Sequence, residues 1–180
     1  MRSAPPALLA DEVHVLRLPS GERDEAGRAL RDVLAAYLEG SPEAIRIVTG
    51  EHGKPELAGG ELQFNLSHSA GVGLVAVARE RAVGVDVERI DARRDVLALA
   101  ERALDPEGAA AVRAAPEADR AAVFHRGWAR REAVAKCAGT GLSIPPSDTP
   151  RQVIDLDVGE EYAAAVAVAG AAPVRVELRP

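Results

Sequence analysis

Two carboxylates one residue apart stand out in Val83-Gly84-Val85-Asp86-Val87-Glu88. The alternation reads as a β-strand, on which side chains two apart share a face. Val83, Val85 and Val87 then enter a core, while Asp86 and Glu88 point together to the other side. Paired carboxylates repel unless a cation or hydrogen-bond donors neutralise them. Hard oxygen ligands of this kind suit magnesium, which takes one or two protein carboxylates and completes its octahedron with water and phosphate oxygens. The plain alternative is a strand with a solvated polar face, and the Asp-x-Glu pattern alone leaves both open.

A second constellation lies in Trp128-Ala129-Arg130-Arg131-Glu132-Ala133-Val134-Ala135-Lys136. Trp128, Glu132 and Lys136 recur every fourth residue and so line one helical stripe, with Arg131 beside them. The alternative is a core tryptophan above an ordinary Glu-to-Lys surface pair. A third is Phe64-Asn65-Leu66-Ser67-His68-Ser69, where a histidine between two serines at a strand end can donate to an anion or be a satisfied loop residue. Gly53-Lys54-Pro55 precedes it. From Arg120 to Lys136 there are five basic residues (Arg120, Arg126, Arg130, Arg131, Lys136) against one acid, Glu132. Such an island reads either as a solvated helix face or as a seat for one small anion.

The elements that must position these residues follow from periodicity and breakers. Strands are expected at Val13–Leu18, Ile45–Val48 and Leu62–Leu66, with Glu51–Gly60 as a loop. Pro19 and Gly21 end the first strand, and Ser20 precedes a helix from Glu22 to about Leu38 with Leu30, Leu34 and Leu38 on one face. Val72–Ala78 and Ala82–Val87, joined by Arg79-Glu80-Arg81, read as a hairpin. Three helices are expected at Asp95–Leu104, Pro106–Ala114 and Glu117 to about Ala138, the last broken by Gly139, Gly141 and Pro145-Pro146. Val153–Leu156, Tyr162–Val168 and Val174–Leu178 close the chain as strands. The fold class is therefore α+β, with two similar halves, 1–90 and 91–180, and a change of character near Ile90 to Arg94.

The chain has 180 residues, 47% of them hydrophobic, so a sizeable core can be buried. Aromatics make up only 3%, which leaves Ala, Val and Leu to build it. A net charge of -6 disfavours generic nucleic-acid binding, whose affinity comes from neutralised phosphates. The single Cys137 excludes an internal disulfide framework and fits a reducing compartment. Met1 to Leu9 has no signal-peptide apolar run, and no stretch approaches the ~20 apolar residues of a membrane span. The expectation is a cytoplasmic protein with neither membrane nor nucleic-acid partner.

Gly-Lys-Pro, Phe-Asn-Leu-Ser-His-Ser, Gly-Val-Asp-Val-Glu and Trp-x-x-Arg-Glu-Ala-x-x-Lys, in that order over Gly53 to Gly141, resemble the 4′-phosphopantetheinyl transferases of the surfactin-synthetase-activating type. The resemblance implies a pseudo-twofold pair of α+β halves in one monomer, with the active site in the cleft between them. It implies transfer of phosphopantetheine from coenzyme A to a serine of an apo acyl or peptidyl carrier protein, releasing adenosine 3′,5′-bisphosphate. By family pattern Asp86, Glu88 and Glu132 hold magnesium, and Glu132 also matches the residue that takes the serine proton. Lys136 matches a phosphate-binding lysine, and Lys54 and His68 match coenzyme contacts. Arg131 stands where the family usually has lysine, exchanging a point donor for a planar fork. Arg23 and Arg28, at the start of the first helix, are assigned to the 3′-phosphate by position only. A coenzyme-binding protein without transfer activity and a magnesium-dependent phosphohydrolase are the competing readings.

Overall fold

The structure, a computed structural model, describes residues 7–18, 23–50, 52–142 and 148–179, with Arg23 and Asp24 described by their backbone alone. Its first sheet grows from two strands that are buried on both faces. β1 (Glu12–Leu18) and β5 (Val72–Ala78) are almost wholly buried and pair antiparallel, Val13 opposite Ala78. β4 (Gln63–Ser69) flanks β5, and the two are joined by a two-residue turn. Ala70 and Gly71 both take positive φ there, the turn that matches strand twist. β2 (Ile47–Thr49) and β3 (Pro55–Leu57) form a separate two-stranded ribbon, so part of the expected Glu51–Gly60 loop is strand.

α1 (Arg23–Tyr37) lays Leu30, Val33, Leu34 and Tyr37 on one face of this sheet, against Leu18, Phe64, Val75 and Val77. The opposite face carries Val13, Val15, Val72 and Leu74, and these meet Val83, Val85 and Val87 of β6 (Val83–Arg89). β6 belongs to a second antiparallel sheet, ordered β6-β8-β7, with β7 (Arg151–Leu156) and β8 (Tyr162–Ala169). α2 (Val96–Ala103) and α3 (Pro106–Ala114), N-capped by Asp95 and Asp105, support the first half of α4 (Arg120–Ala138). α4 covers the outer face of the second sheet, so the layers run helix, sheet, sheet, helix.

Both sheets repeat one topology: strand, helix, strand, strand, with the last strand in the middle (β4-β5-β1 and β7-β8-β6). Two expectations change. Val72–Ala78 and Ala82–Val87 do not form a hairpin, because β5 bonds β4 and β1 while β6 bonds β8. Arg79-Glu80-Arg81 instead carries the chain from one sheet to the other, Arg79 donating to Leu8 O and Arg81 to Ala169 O and Gly170 O. The sheets thus part at Arg79–Ala82 rather than near Ile90. β9 (Arg175–Arg179) returns to the first sheet, parallel to β1. The expected stop at Pro19 and Gly21, the Ser20 cap and the Pro145-Pro146 break lie outside the described residues. Among those described, no helix is long and apolar enough to cross a membrane.

Candidate active site

Glycine and alanine bring the acids together. A Cβ on Gly84 would fall 2.2 Å from both Ala133 O and Cys137 N, so the α4 backbone rests directly on β6. Ala129, Ala133 and Cys137 of α4 pack on Ala165 and Ala167 of β8 in the same layer. Small side chains on three elements give the helix this close approach. The Gly84 face of β6 also carries Asp86 and Glu88, so both meet α4 at short range.

The contacts descend the helix in register. Trp128 Nε1 donates to Glu88 Oε1 at 3.2 Å, and Lys136 Nζ reaches Asp86 Oδ1 at 2.6 Å. Glu132 lies between them in sequence and is half-buried. The stripe read from the spacing of four is therefore real, and its tryptophan holds one of the strand acids. Asp86 is only 3% exposed. Its Oδ1 also accepts from Ser67 Oγ at 2.9 Å, whereas its buried Oδ2 makes no hydrogen bond among the described residues.

Electrostatics match this geometry. Burial pushes the Asp86 carboxyl above the usual carboxylate range, against the pull of Lys136 and Ser67. Burial and then the charge of Asp86 raise Glu88, partly offset by Trp128, Lys136 and Arg94. Glu132 is raised by burial and by Asp86 and Glu88, with Lys136 and Arg131 opposing. Three mutually repelling carboxyls with one lysine among them form a place where added positive charge is favoured. No group of three or more His, Cys, Asp or Glu among the described residues is gathered to hold an ion by itself. A magnesium ion that keeps waters and substrate oxygens does not need one.

The other assigned residues spread out. Lys54 Nζ donates to Val83 O at 3.1 Å and to Cys137 O at 3.4 Å, pinning the start of β6 to the end of α4, and burial lowers its pKa. His68 is exposed, on the opposite face of β4 from Ser67. Arg131 lies over the Trp128 ring and donates to Ala103 O. Arg28 is exposed on α1, with no described contact to the acids; the side chain of Arg23 lies outside the described residues. The basic island also disperses, since 3.6 residues per turn fan its members around α4. Arg130 grips Asp155 with two bonds and Arg120 donates to Ala115 O, so Lys136 alone of the five bonds one of the three carboxylates.

Sequence reasoning did not assign Asn65, Ser67 and Ser69 a common role. Asn65 Oδ1 accepts from Val85 N (2.9 Å), Ser67 Oγ from Val87 N (3.4 Å) and Ser69 Oγ from Arg89 N (3.0 Å). These side chains satisfy the free edge of β6, which a neighbouring strand would otherwise pair. Their signal was polar residues at period two in a strand, with Leu66 and His68 between them. Beyond Glu88, residues Arg89 to Arg94 line an open pocket of 610 Å³ whose arginines were also not singled out.

A family model described as the 4′-phosphopantetheinyl transferase superfamily matches residues 82–174, just over half of the chain. That span holds Asp86, Glu88, Glu132 and Lys136, and begins after Lys54 and His68. The 4′-phosphopantetheinyl transferase HetI of Nostoc sp. is 29% identical over 213 aligned positions, covering 91% of this chain and 90% of that protein. A putative 4′-phosphopantetheinyl transferase, slr0495 of Synechocystis sp., is 32% identical over 64% of this chain, which spans 48% of the relative's length. The 4′-phosphopantetheinyl transferase AcpT of Salmonella typhimurium is 35% identical, over 69% of this chain and 64% of its own.

Proposed function

Since the chain belongs to the 4′-phosphopantetheinyl transferase superfamily and is a transferase of that kind, we propose that it moves 4′-phosphopantetheine from coenzyme A to a serine of an apo acyl or peptidyl carrier protein. The reading includes magnesium, for which Asp86, Glu88 and Glu132 would supply the carboxylates, one or two of them in direct contact and the remainder through water. The observation that carries it is the buried Oδ2 of Asp86, unpartnered beside two further carboxyls that burial and repulsion both raise. A buried oxygen in that state is stabilised by a hard cation.

Bound magnesium would supply charge neutralisation at the coenzyme pyrophosphate. The chain's own residues do the remainder. Glu132 accepts the proton of the carrier serine, directly or through water, as its oxygen attacks the phosphorus that bears pantetheine. The bond from that phosphorus to the bridging oxygen breaks, and adenosine 3′,5′-bisphosphate leaves with the electron pair. Lys136 offsets the charge growing on the leaving oxygens, which requires it to share its ammonium between Asp86 and the phosphate. His68, exposed at the rim of β4, is free to meet the coenzyme. Lys54 contributes by holding β6 to α4, and Arg131 can turn from Ala103 O to a phosphate.

The surfactin-synthetase-activating subtype, the pseudo-twofold relation of the halves, the cleft between them, the monomeric state and the cytoplasmic location belong to the same proposal. The strand-helix-strand-strand order repeated within one chain supports the pseudo-twofold relation. The test is mass spectrometry of a panel of apo acyl and peptidyl carriers incubated with coenzyme A and magnesium. A gain of the phosphopantetheine arm, lost in excess chelator and in Asp86→Ala, is expected. Coenzyme breakdown without carrier modification would make the protein a phosphohydrolase, and binding without change a coenzyme carrier.

A further inference from the structure

We propose that Ser67 is a positioning residue, whose hydroxyl decides which oxygen of Asp86 is presented to a divalent cation. This rests on the magnesium-dependent reading above. Ser67 Oγ has three partners: Asp86 Oδ1 at 2.9 Å, Lys136 Nζ at 3.0 Å and the Val87 amide at 3.4 Å. An ammonium and an amide N–H can only donate, and a hydroxyl offers one hydrogen and two lone pairs. Both lone pairs are therefore taken and the hydrogen is directed to Asp86 Oδ1. That same oxygen accepts from Lys136 at 2.6 Å. Two donors thus hold Oδ1, and Oδ2 is left unpaired. The carboxylate cannot turn over without breaking both bonds.

The neighbouring rungs isolate this role. Asn65 and Ser69 make the same kind of bond to β6, at Val85 N and Arg89 N, yet neither bonds a carboxylate. Ser67 is the middle rung, buried with Asp86. Removing its hydroxyl takes away one of the two donors on Oδ1 and lets the Asp86 carboxylate swing to Lys136 alone.

The experiment titrates Mn²⁺ into the full chain, with and without coenzyme A, and reads bound ion by electron paramagnetic resonance. Ser67→Ala should weaken Mn²⁺ binding about 10- to 100-fold, the usual scale for a group that orients a metal ligand. Ser67→Cys, which keeps the volume but donates weakly, should behave like Ser67→Ala and serves if that variant does not fold. Ser67→Thr should restore most of the affinity. Ser69→Ala loses the corresponding bond to β6 but none to a carboxylate, so it should bind Mn²⁺ like wild type. Unchanged Mn²⁺ affinity in Ser67→Ala or Ser67→Cys, an equal loss in Ser69→Ala, or no Mn²⁺ binding by the wild type in either condition would each overturn the proposal. If the ion binding follows Ser67 but no carrier is modified, the positioning role stands and the transfer reading falls.

Discussion

At the scale of single residues, Glu132 and Lys136 lie on one helical turn but are assigned different work. As a proton acceptor, Glu132 cannot be replaced by added metal. Glu132→Gln keeps the shape and one ligand oxygen, so at saturating magnesium kcat should stay depressed by roughly 10²-fold or more. Full recovery on titrating magnesium would leave Glu132 as a ligand only. Lys54 and His68 make a second contrast. Lys54 is committed to two backbone carbonyls, so Lys54→Ala should cost about 1–3 kcal/mol of stability, seen as a lower urea midpoint. His68 is exposed, and His68→Ala should leave that midpoint in place while raising KM for coenzyme A. Equal effects of both variants on the midpoint would show that this division of roles is mistaken.

The helix-on-strand contact is the element on which the site depends. β6 and α4 touch through Gly84 on one side and backbone atoms of Ala133 and Cys137 on the other. Neither partner can yield by rotating a side chain, because the obstacle is main chain. Gly84→Ala should therefore cost about 3 kcal/mol, the upper part of the range for overpacking. Its effect should also reach chemistry, since any tilt that relieves the clash moves Glu132 and Lys136 away from Asp86. The check is a denaturant melt together with kcat. A variant as stable and as active as wild type would mean that the helix does not sit this close.

For the molecule as a whole, closure of the first sheet depends on a buried polar cluster remote from the acids. His14 of β1 is 1% exposed, with Nδ1 2.8 Å from Tyr37 Oη and Nε2 facing Glu12, Glu177 and Arg179. Burial, then Arg179, pushes the His14 pKa below its ordinary 6.5, with Glu177 opposing, and burial pushes Tyr37 up to about 12. A histidine with a lowered folded pKa takes up its proton more readily in the unfolded chain. Its contribution is whole above pH 6.5 and is lost as pH falls through the folded value. Melting temperature should thus decline on acidification below about pH 6.5, and His14→Gln should flatten part of that decline. Parallel pH curves for wild type and variant would remove His14 from this role.

What could be read along the chain was set by local geometry. The strand period of two placed Asp86 with Glu88, and the helical period near four placed Trp128 with Glu132 and Lys136. Backbone stereochemistry imposes both periods whatever the surroundings, so the α+β class and nearly every element were legible as well. Partners distant in sequence were not. Asp86 meets Lys136 50 residues away, Ser67 joins them from 69 residues before Lys136, and Lys54 reaches Cys137 across 83. Those meetings depend on how two sheets dock and how deeply a helix settles on a glycine. The same docking sent β5 and β6 to different sheets. Local periodicity tells which side chains share a face, but only the packed layers decide what that face meets.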